Sequence, residues 1–134
     1  MCVLVGTNMA LLASNYAIIP VEAGSDFSLD GVRSALKLIE HITKGSNTDL
    51  RLLKILINRV DLRTGISRNS VEEIRSTFGE DMVFDTTIPI SSDIEKSIRD
   101  YTSVIRYAPR YSAAQRYRHL AQEIIDLTGL KATP

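Results

Sequence analysis

The sequence lacks several residues and motifs that mark particular protein classes. Its 134 residues include one cysteine, Cys2, and no tryptophan. A single cysteine cannot form a disulfide within the chain, which excludes a disulfide-stabilised scaffold. None of the seven glycines is followed by lysine, so the sequence contains no G-x-x-x-x-G-K-[ST] loop, the motif that binds phosphates through backbone amides and a lysine. A G-x-G-x-x-G dinucleotide motif is missing as well.

An excess of charge of one sign is also missing. Sixteen Lys and Arg balance sixteen Asp and Glu, which excludes nucleic-acid binding by bulk charge and leaves only local patches. No apolar run reaches the roughly 18 residues of a membrane helix, so we expect a cytoplasmic protein with no membrane segment. The two histidines have no zinc-ligand spacing, and we predict neither a metal site nor a catalytic residue. The ordinary globular composition predicts a single domain over residues 1–134.

Short β-rich runs alternate with longer helical patterns along the chain. This order is typical of an α/β protein with a mostly parallel sheet and flanking helices. Strands are predicted at residues 2–5, 16–21, 52–57 and 82–88. Helices are predicted at residues 28–43, from about 67 or 70 to 78, and from about 112 to 128, the last two ending at Gly79 and Gly129. Ser70 with Glu73 and Ser112 with Gln115 have the spacing of capping boxes.

Three loops follow predicted strands, at residues 19–24, 57–61 and 88–92. Because the carboxyl ends of parallel strands lie on one edge of the sheet, where ligands of such folds bind, we expect these loops to converge. Asn58 offers a donor and an acceptor to a purine edge; alternatively it caps the turn after its strand. Pro20 and Pro89 belong to this edge or simply end their strands.

The carboxy-terminal part of the chain is net positive, because residues 99–134 hold six basic and three acidic groups. Five arginines interleave there with four tyrosines: Arg99, Arg106, Arg110, Arg116 and Arg118 with Tyr101, Tyr107, Tyr111 and Tyr117. This composition suits phosphate contacts and partner surfaces. The alternative is that the tyrosines pack the edge of a core while the arginines face solvent.

Five segments occur together in a characteristic order. ASNYAIIPVE (residues 13–22) is followed by SLDG (28–31), then by NRVDLRT (58–64) and by FDTTIP (84–89). The closing segment, residues 104–124, has the pattern Y-x-P-x-x-S-x-x-x-x-Y-x-x-L-A-x-E. The set resembles the ParA/Soj/MinD-type partition ATPases, deviant P-loop proteins of the SIMIBI class. The resemblance covers only the carboxy-terminal half of such a protein, without its P-loop.

The resemblance implies a partial deviant P-loop NTPase fold, which is Rossmann-like, and an ATP-binding protein of plasmid or chromosome partitioning. Asn58 would hydrogen-bond adenine, and Pro89 with Ile90 would wall the adenine pocket. The cofactor would be ATP or ADP, with Mg²⁺ held only through the missing half. Arg63 matches a family arginine that contacts DNA without sequence preference, whereas Asp93 stands near a second one. The implied partners are a second copy of the chain, non-specific DNA and an activator protein.

Three functional interpretations stay open at this level. In the first, the chain contributes the adenine side of a nucleotide site but cannot hydrolyse ATP alone, because it lacks the contacts to the phosphates. In the second, it is a non-catalytic module that dimerises or docks a partner through an exposed sheet edge. In the third, Asn58 and Asp61 form a guanine-binding site, since N-x-x-D is similar to the guanine-binding loop of GTPases.

Overall fold

The computed structural model describes residues 2–25 and 28–130, with the side chains of all of these except residues 2–5 and 28. In chain order the elements are α1 (Cys2–Ala13), β1 (Tyr16–Glu22), α2 (Ser28–Lys44), β2 (Arg51–Asn58), α3 (Gly65–Phe78), α4 (Ser92–Arg99), α5 (Val104–Tyr107) and α6 (Ser112–Thr128). A short 3-10 helix, Glu80–Met82, lies between α3 and α4. Among these elements, no helix is both long enough and apolar enough to cross a bilayer.

The two strands form a parallel pair. Their register runs from Tyr16 opposite Arg51 to Glu22 opposite Asn58, with an irregularity between Ala17 and Ile19. A parallel pair needs a crossover connection, and α2 provides it. The prediction of an α/β chain with a parallel sheet and flanking helices is therefore confirmed.

The strand predicted at residues 82–88 pairs with β2 only at its two ends. The Phe84 amide donates to the carbonyl of Ile55 (2.9 Å) and the Ile88 amide to that of Ile57 (3.0 Å). Between these bonds, residues 85–87 make no backbone hydrogen bond to β2. Side chains of neighbouring helices instead bind the backbone polar groups of residues 84–86. Segment 83–90 is thus an interrupted third member of the sheet, and β1 lies at the opposite edge of the described sheet.

The strand predicted at residues 2–5 is wrong, because α1 begins at Cys2. Periodicity does not distinguish a short apolar run from the start of a buried helix, and here the apolar stretch continues for three helical turns. Asn47 caps the carboxyl end of α1, since its Nδ2 donates to the carbonyls of Leu11 (2.9 Å) and Ser14 (2.9 Å). This contact from the loop before β2 depends on the tertiary fold.

The two glycine stops are confirmed, whereas the two capping boxes are wrong. Helix α6 ends at Gly129 with φ 68°, and α3 ends at Gly79 with φ 88°. Helix α3 begins five residues earlier than Ser70, and Thr64 caps it by accepting a hydrogen bond from the Ser67 amide (3.2 Å). Helix α6 begins at Ser112 itself, after Tyr111, whose side chain makes no capping bond.

Helices cover the sheet on both faces. One core cluster joins β1 and β2 to α2 and α3 through buried residues such as Ile19, Ile57 and Ile74. The second contains Phe84, Ile88 and Leu120 and extends to Ile18, Leu53, Leu56, Ile94, Tyr117 and Ile124. Since successive strand residues point to opposite faces, Ile18 and Ile19 pack into different clusters. This arrangement leaves the loops after β2 and after segment 83–90 side by side.

Candidate nucleotide site

A cavity of about 150 Å³ lies at the carboxyl ends of β2 and segment 83–90. It is lined by Asn58, Arg59, Pro89, Ile90, Ser91, Ile94, Glu95 and Tyr117. Three of these residues, Asn58, Pro89 and Ile90, are the ones that the motif resemblance assigns to an adenine pocket. They come from two loops, so their proximity is produced by the fold. The cavity is smaller than the roughly 300 Å³ of the smallest typical small-molecule pockets, a size that suits one base and not a whole nucleotide.

Backbone hydrogen bonds hold these two loops together. The Val60 amide donates to the carbonyl of Ile88 (3.0 Å), and the Ile90 amide donates to that of Val60 (3.0 Å). Val60 is 1% exposed, so these bonds are protected from water. Pro89 lies between them and offers no amide hydrogen, which suits a position where a strand ends. The loop carrying Asn58 is therefore fixed relative to Pro89 and Ile90.

Asn58 is the last residue of β2, and its side chain caps the turn that follows. Its Oδ1 accepts a hydrogen bond from the Arg59 amide (2.9 Å). Arg59 has φ 53°, a left-handed conformation that is uncommon for a residue other than glycine. Asn58 Nδ2 makes no hydrogen bond to any residue that the structure describes. The capping role and the lining of the cavity are thus both present in one side chain.

Four of the lining residues are apolar or aromatic: Pro89, Ile90, Ile94 and Tyr117. Ile90 is 49% exposed, whereas Ile94 of α4 and the half-buried Tyr117 of α6 also pack against the second core cluster. A lining that combines apolar side chains with hydrogen-bonding groups is suited to an aromatic heterocycle.

Some charged and polar side chains around the cavity have partners and others do not. Arg59 Nε lies 3.0 Å from Glu22 Oε1 of the neighbouring strand. Ser91 Oγ accepts a hydrogen bond from the Asp93 amide (3.2 Å) and so caps α4. Within the described part of the chain, Glu95 has no hydrogen-bonding or ionic partner for its side chain.

Asp61 and Arg63 do not line this cavity. Instead, the Arg63 guanidinium contacts both carboxylate oxygens of Asp61, at 3.0 and 3.1 Å, and the Arg63 amide adds a third bond at 3.1 Å. Hydrogen bonds from Arg63 lower the pKa of Asp61 below its usual 3.8, and the carboxylate raises that of Arg63. The carboxylate proposed for guanine recognition is therefore occupied by the arginine that the resemblance assigns to DNA.

Arg63 itself faces solvent, with 87% of its side chain exposed against 21% for Asp61. The pairing reduces the net charge that this arginine offers to a phosphate. The short spacing of the two residues is visible in the sequence, but their bidentate contact is not.

In the Arg/Tyr segment, some side chains pack against the core and others form an exposed surface, so each of the two interpretations of its composition holds for part of the segment. Tyr117 packs at the edge of the second core cluster. Tyr101 is 99% exposed and Tyr111 is 66% exposed. Arg110 and Arg116 lie with His119 around a polar depression at the start of α6, whereas Arg118 donates to the carbonyl of Pro109 (2.6 Å). The segment is thus partly structural and partly an exposed basic surface.

Sequence patterns gave no indication of Ile94 and Glu95 in the cavity, because no helix was predicted at α4. The cap by Ser91 three residues after Ile88 is the local signal for that helix. Among the described residues, no three His, Cys, Asp or Glu side chains are grouped so as to hold a metal ion.

Comparison with known proteins supports the motif resemblance. No family model matches the chain. The chromosome-partitioning ATPase Soj of Thermus thermophilus is 34% identical over 116 residues, which is 87% of this chain and 46% of that protein. The sporulation initiation inhibitor protein Soj of Bacillus subtilis is 31% identical over 115 residues, 86% of this chain and 45% of that protein. The chain is thus similar in sequence to ParA/Soj-type ATPases.

The ParA/Soj-type relatives are longer than this chain, which spans less than half of the length of the curated relatives that it matches. The chromosome partitioning protein ParA of Myxococcus xanthus gives the same picture, with 26% identity over 87% of this chain and 40% of that protein. Together with the order of the motifs, this coverage is consistent with the carboxy-terminal half of a ParA-type ATPase.

Solved structures show the same fold. A cobyrinic acid a,c-diamide synthase from Mycobacterium smegmatis, with bound ADP and magnesium, matches 92% of this chain and 44% of its own. The TM-score is 0.59 and the sequence identity is 25%. The α/β class of this chain therefore agrees with the fold of a solved protein structure. That other structure contains ADP and magnesium.

Proposed function

We propose that this chain is the carboxy-terminal part of a ParA-like ATP-binding protein of plasmid or chromosome partitioning, and that it supplies the adenine-side wall of the nucleotide site. The observation that carries the proposal is the cavity at the sheet edge, which unites Asn58 with Pro89 and Ile90. The bound ADP of the similar synthase supports a nucleotide as the ligand class.

The three residues have two kinds of role in this proposal. Asn58 Nδ2 donates a hydrogen bond to a ring nitrogen of the base. Pro89 and Ile90 contact the face of the ring and exclude water from it, as hydrophobic walls of ligand pockets do. The hydrogen bonds across Val60 hold the three residues at fixed separations before a ligand arrives, so little ordering entropy is lost on binding.

The phosphates require a different part of the family fold. The sequence has no glycine followed by lysine, and a lysine in a glycine-rich loop supplies much of the affinity of P-loop proteins for nucleotides. We therefore expect this chain alone to bind ADP with a dissociation constant of about 1 mM or weaker, equivalent to about 4 kcal/mol. Mg²⁺ would be held through the half of the fold that the match does not cover.

Titration with ADP, followed by ¹⁵N–¹H NMR, tests the nucleotide site at this affinity. We expect the amide signals of Arg59 and Ile90 to shift, and Asn58→Ala to weaken binding several-fold, because one hydrogen bond contributes about 1 kcal/mol. Asn69→Ala, an exposed asparagine on α3, is the matched control and should bind like the wild type. Unshifted cavity signals at saturating ADP would contradict the proposal.

Hydrolysis gives a second test. Phosphate release from ATP by the purified chain should equal that of a buffer control. Activity well above the control would overturn the assignment of the phosphate chemistry to another part of the fold.

A second candidate function, self-association, is favoured by the edge of the sheet. Strand β1 pairs with β2 on one side only, within the described residues. An apolar cavity of about 410 Å³ lies beside it, between β1 and helices α1 and α2. Exposed sheet edges and apolar surfaces of this kind pair with other chains. We propose that a second copy of the chain binds there.

Light scattering at increasing protein concentration tests this second function, for which we expect a dimer. Ala35, a half-buried residue of α2, lines the cavity, and Ala35→Lys should shift the chain to a monomer. Ser34→Lys, which adds the same charge at an exposed neighbour, should leave the dimer intact. A wild-type chain that stays monomeric at high concentration counts against self-association.

A further inference from the structure

Some hydrogen-bonding groups around the 150 Å³ cavity have partners within the chain, and others have none among the described residues. Asn58 Oδ1 accepts from the Arg59 amide, and Ser91 Oγ accepts from the Asp93 amide. The Arg59 guanidinium is paired with Glu22. The groups left without a partner among the described residues are Asn58 Nδ2, the Glu95 carboxylate and the Tyr117 hydroxyl.

Recognition of adenine requires a donor and an acceptor side by side. The base presents an acceptor ring nitrogen next to its exocyclic amino group, which is a donor. An asparagine with a free side chain satisfies both groups. Here the oxygen of Asn58 accepts one hydrogen bond, from the Arg59 amide at 2.9 Å, which leaves it a single lone pair. An additional acceptor at the cavity would therefore strengthen recognition of the amino group.

We propose that Glu95 is this acceptor and that it determines the base specificity of the site. The proposal rests on the proposed adenine-binding function. Glu95 lies in the first turn of α4, and both Glu95 and its neighbour Ile94 line the cavity. Its carboxylate accepts a hydrogen bond from the 6-amino group of the base, while Asn58 Nδ2 donates to the adjacent ring nitrogen. A charged acceptor forms a hydrogen bond roughly twice as strong as a neutral one, which favours Glu95 over the Tyr117 hydroxyl.

The test compares two ligands that differ only in the 6-amino group: ADP and purine riboside 5′-diphosphate. Their dissociation constants are measured by NMR titration of the full chain. We expect the wild type to bind ADP about tenfold more tightly than the analogue, the effect of one charged hydrogen bond. Glu95→Ala should bind the two ligands equally, and Glu95→Gln, which keeps an acceptor oxygen, should retain part of the preference.

One further variant separates a specific role from an effect of charge. Glu72→Ala removes the same charge from an exposed position of α3 and should keep the tenfold preference for ADP. Because the ratio of two dissociation constants is compared, any general effect of net charge on nucleotide affinity cancels.

The outcomes distinguish this inference from the function on which it rests. If ADP binds through Asn58 but Glu95→Ala keeps the wild-type preference, the role of Glu95 is refuted and the adenine site stands. If ADP shifts no cavity signal in the wild type, both proposals fail. If GDP binds more tightly than ADP and the difference disappears in Glu95→Ala, Glu95 recognises guanine, which overturns the proposed adenine preference.

Discussion

Glu123 of α6 binds the turn that interrupts the third segment of the sheet. Its carboxylate accepts hydrogen bonds from the amides of Asp85 (3.0 Å) and Thr86 (2.8 Å) and from the Thr86 hydroxyl. From the side of α3, the Arg75 guanidinium donates to the carbonyls of Phe84 (3.0 Å) and Asp85 (3.2 Å). The turn is thus held by two oppositely charged side chains, three residues before the cavity wall begins.

The effect of Glu123→Ala follows from the burial of the groups that it would leave unpaired. Thr86 is 6% exposed, so its amide and hydroxyl would lose a charged acceptor with little access to water. Each such bond contributes about 1.5–3 kcal/mol. Asp85 is exposed, and water can replace its bond. We expect a loss of about 3 kcal/mol from the free energy of unfolding, a large part of the 5–15 kcal/mol of a typical domain.

Urea unfolding followed by circular dichroism measures this loss. Glu123→Gln keeps one acceptor oxygen and should lose about half as much. Gln122→Ala, the exposed neighbour on the same helix, should stay within about 0.5 kcal/mol of the wild type. A loss below about 1 kcal/mol for Glu123→Ala would refute the reasoning, since it would mean that the buried amide and hydroxyl find other partners.

Other predictions concern backbone strain, pH and DNA. Gly79 has φ 88° and ψ 145° with open space around its Cβ position, so Gly79→Ala should lose about 1–3 kcal/mol through strain alone, whereas Gly31→Ala inside α2 should gain up to about 1 kcal/mol; equal effects in urea unfolding would contradict this. Because the pKa of Asp61 is lowered on folding, its contribution to stability is present above its usual pKa of 3.8 and is lost as the pH falls through the lower folded-state value, and Asp61→Asn should remove that pH dependence. If Arg63 contacts phosphates, Asp61→Asn should strengthen retardation of non-specific duplex DNA at low salt, and Arg63→Ala should weaken it and lower the salt slope by about 1; identical retardation by both variants would exclude this role.

Much of the architecture was predictable from local patterns. The extents of α2, β1, β2 and α6 agree closely with the apolar periodicity and with the glycine stop at residue 129, since these features depend on residues close in sequence. The start of helix α1, residues 2–5, was predicted as a strand, because a run of apolar residues fits either structure. The capping boxes failed for a related reason. Ser70 has the right spacing, but its hydroxyl instead accepts a hydrogen bond from the Gly24 amide (2.9 Å).

The candidate site was predictable in part. The motifs named Asn58, Pro89 and Ile90, and the fold places all three around one cavity. Their roles as ligands of adenine stay predictions. Glu95 was missed because its helix was missed, and the engagement of Asp61 by Arg63 has no local signature that distinguishes it from an open turn.

The sequence by itself determined the positions of α2, α6 and the two strands, the parallel order of the sheet and the likeness to ParA/Soj-type ATPases, because these follow from periodicity and from short motifs. Only the tertiary structure decided how polar groups are paired. Arg59 pairs with Glu22, Glu123 binds the backbone at Thr86, and Glu95 lies at the cavity with its carboxylate unpartnered among the described residues. Hydrogen bonds act over about 3 Å between residues tens of positions apart, so they become visible only when the chain is folded.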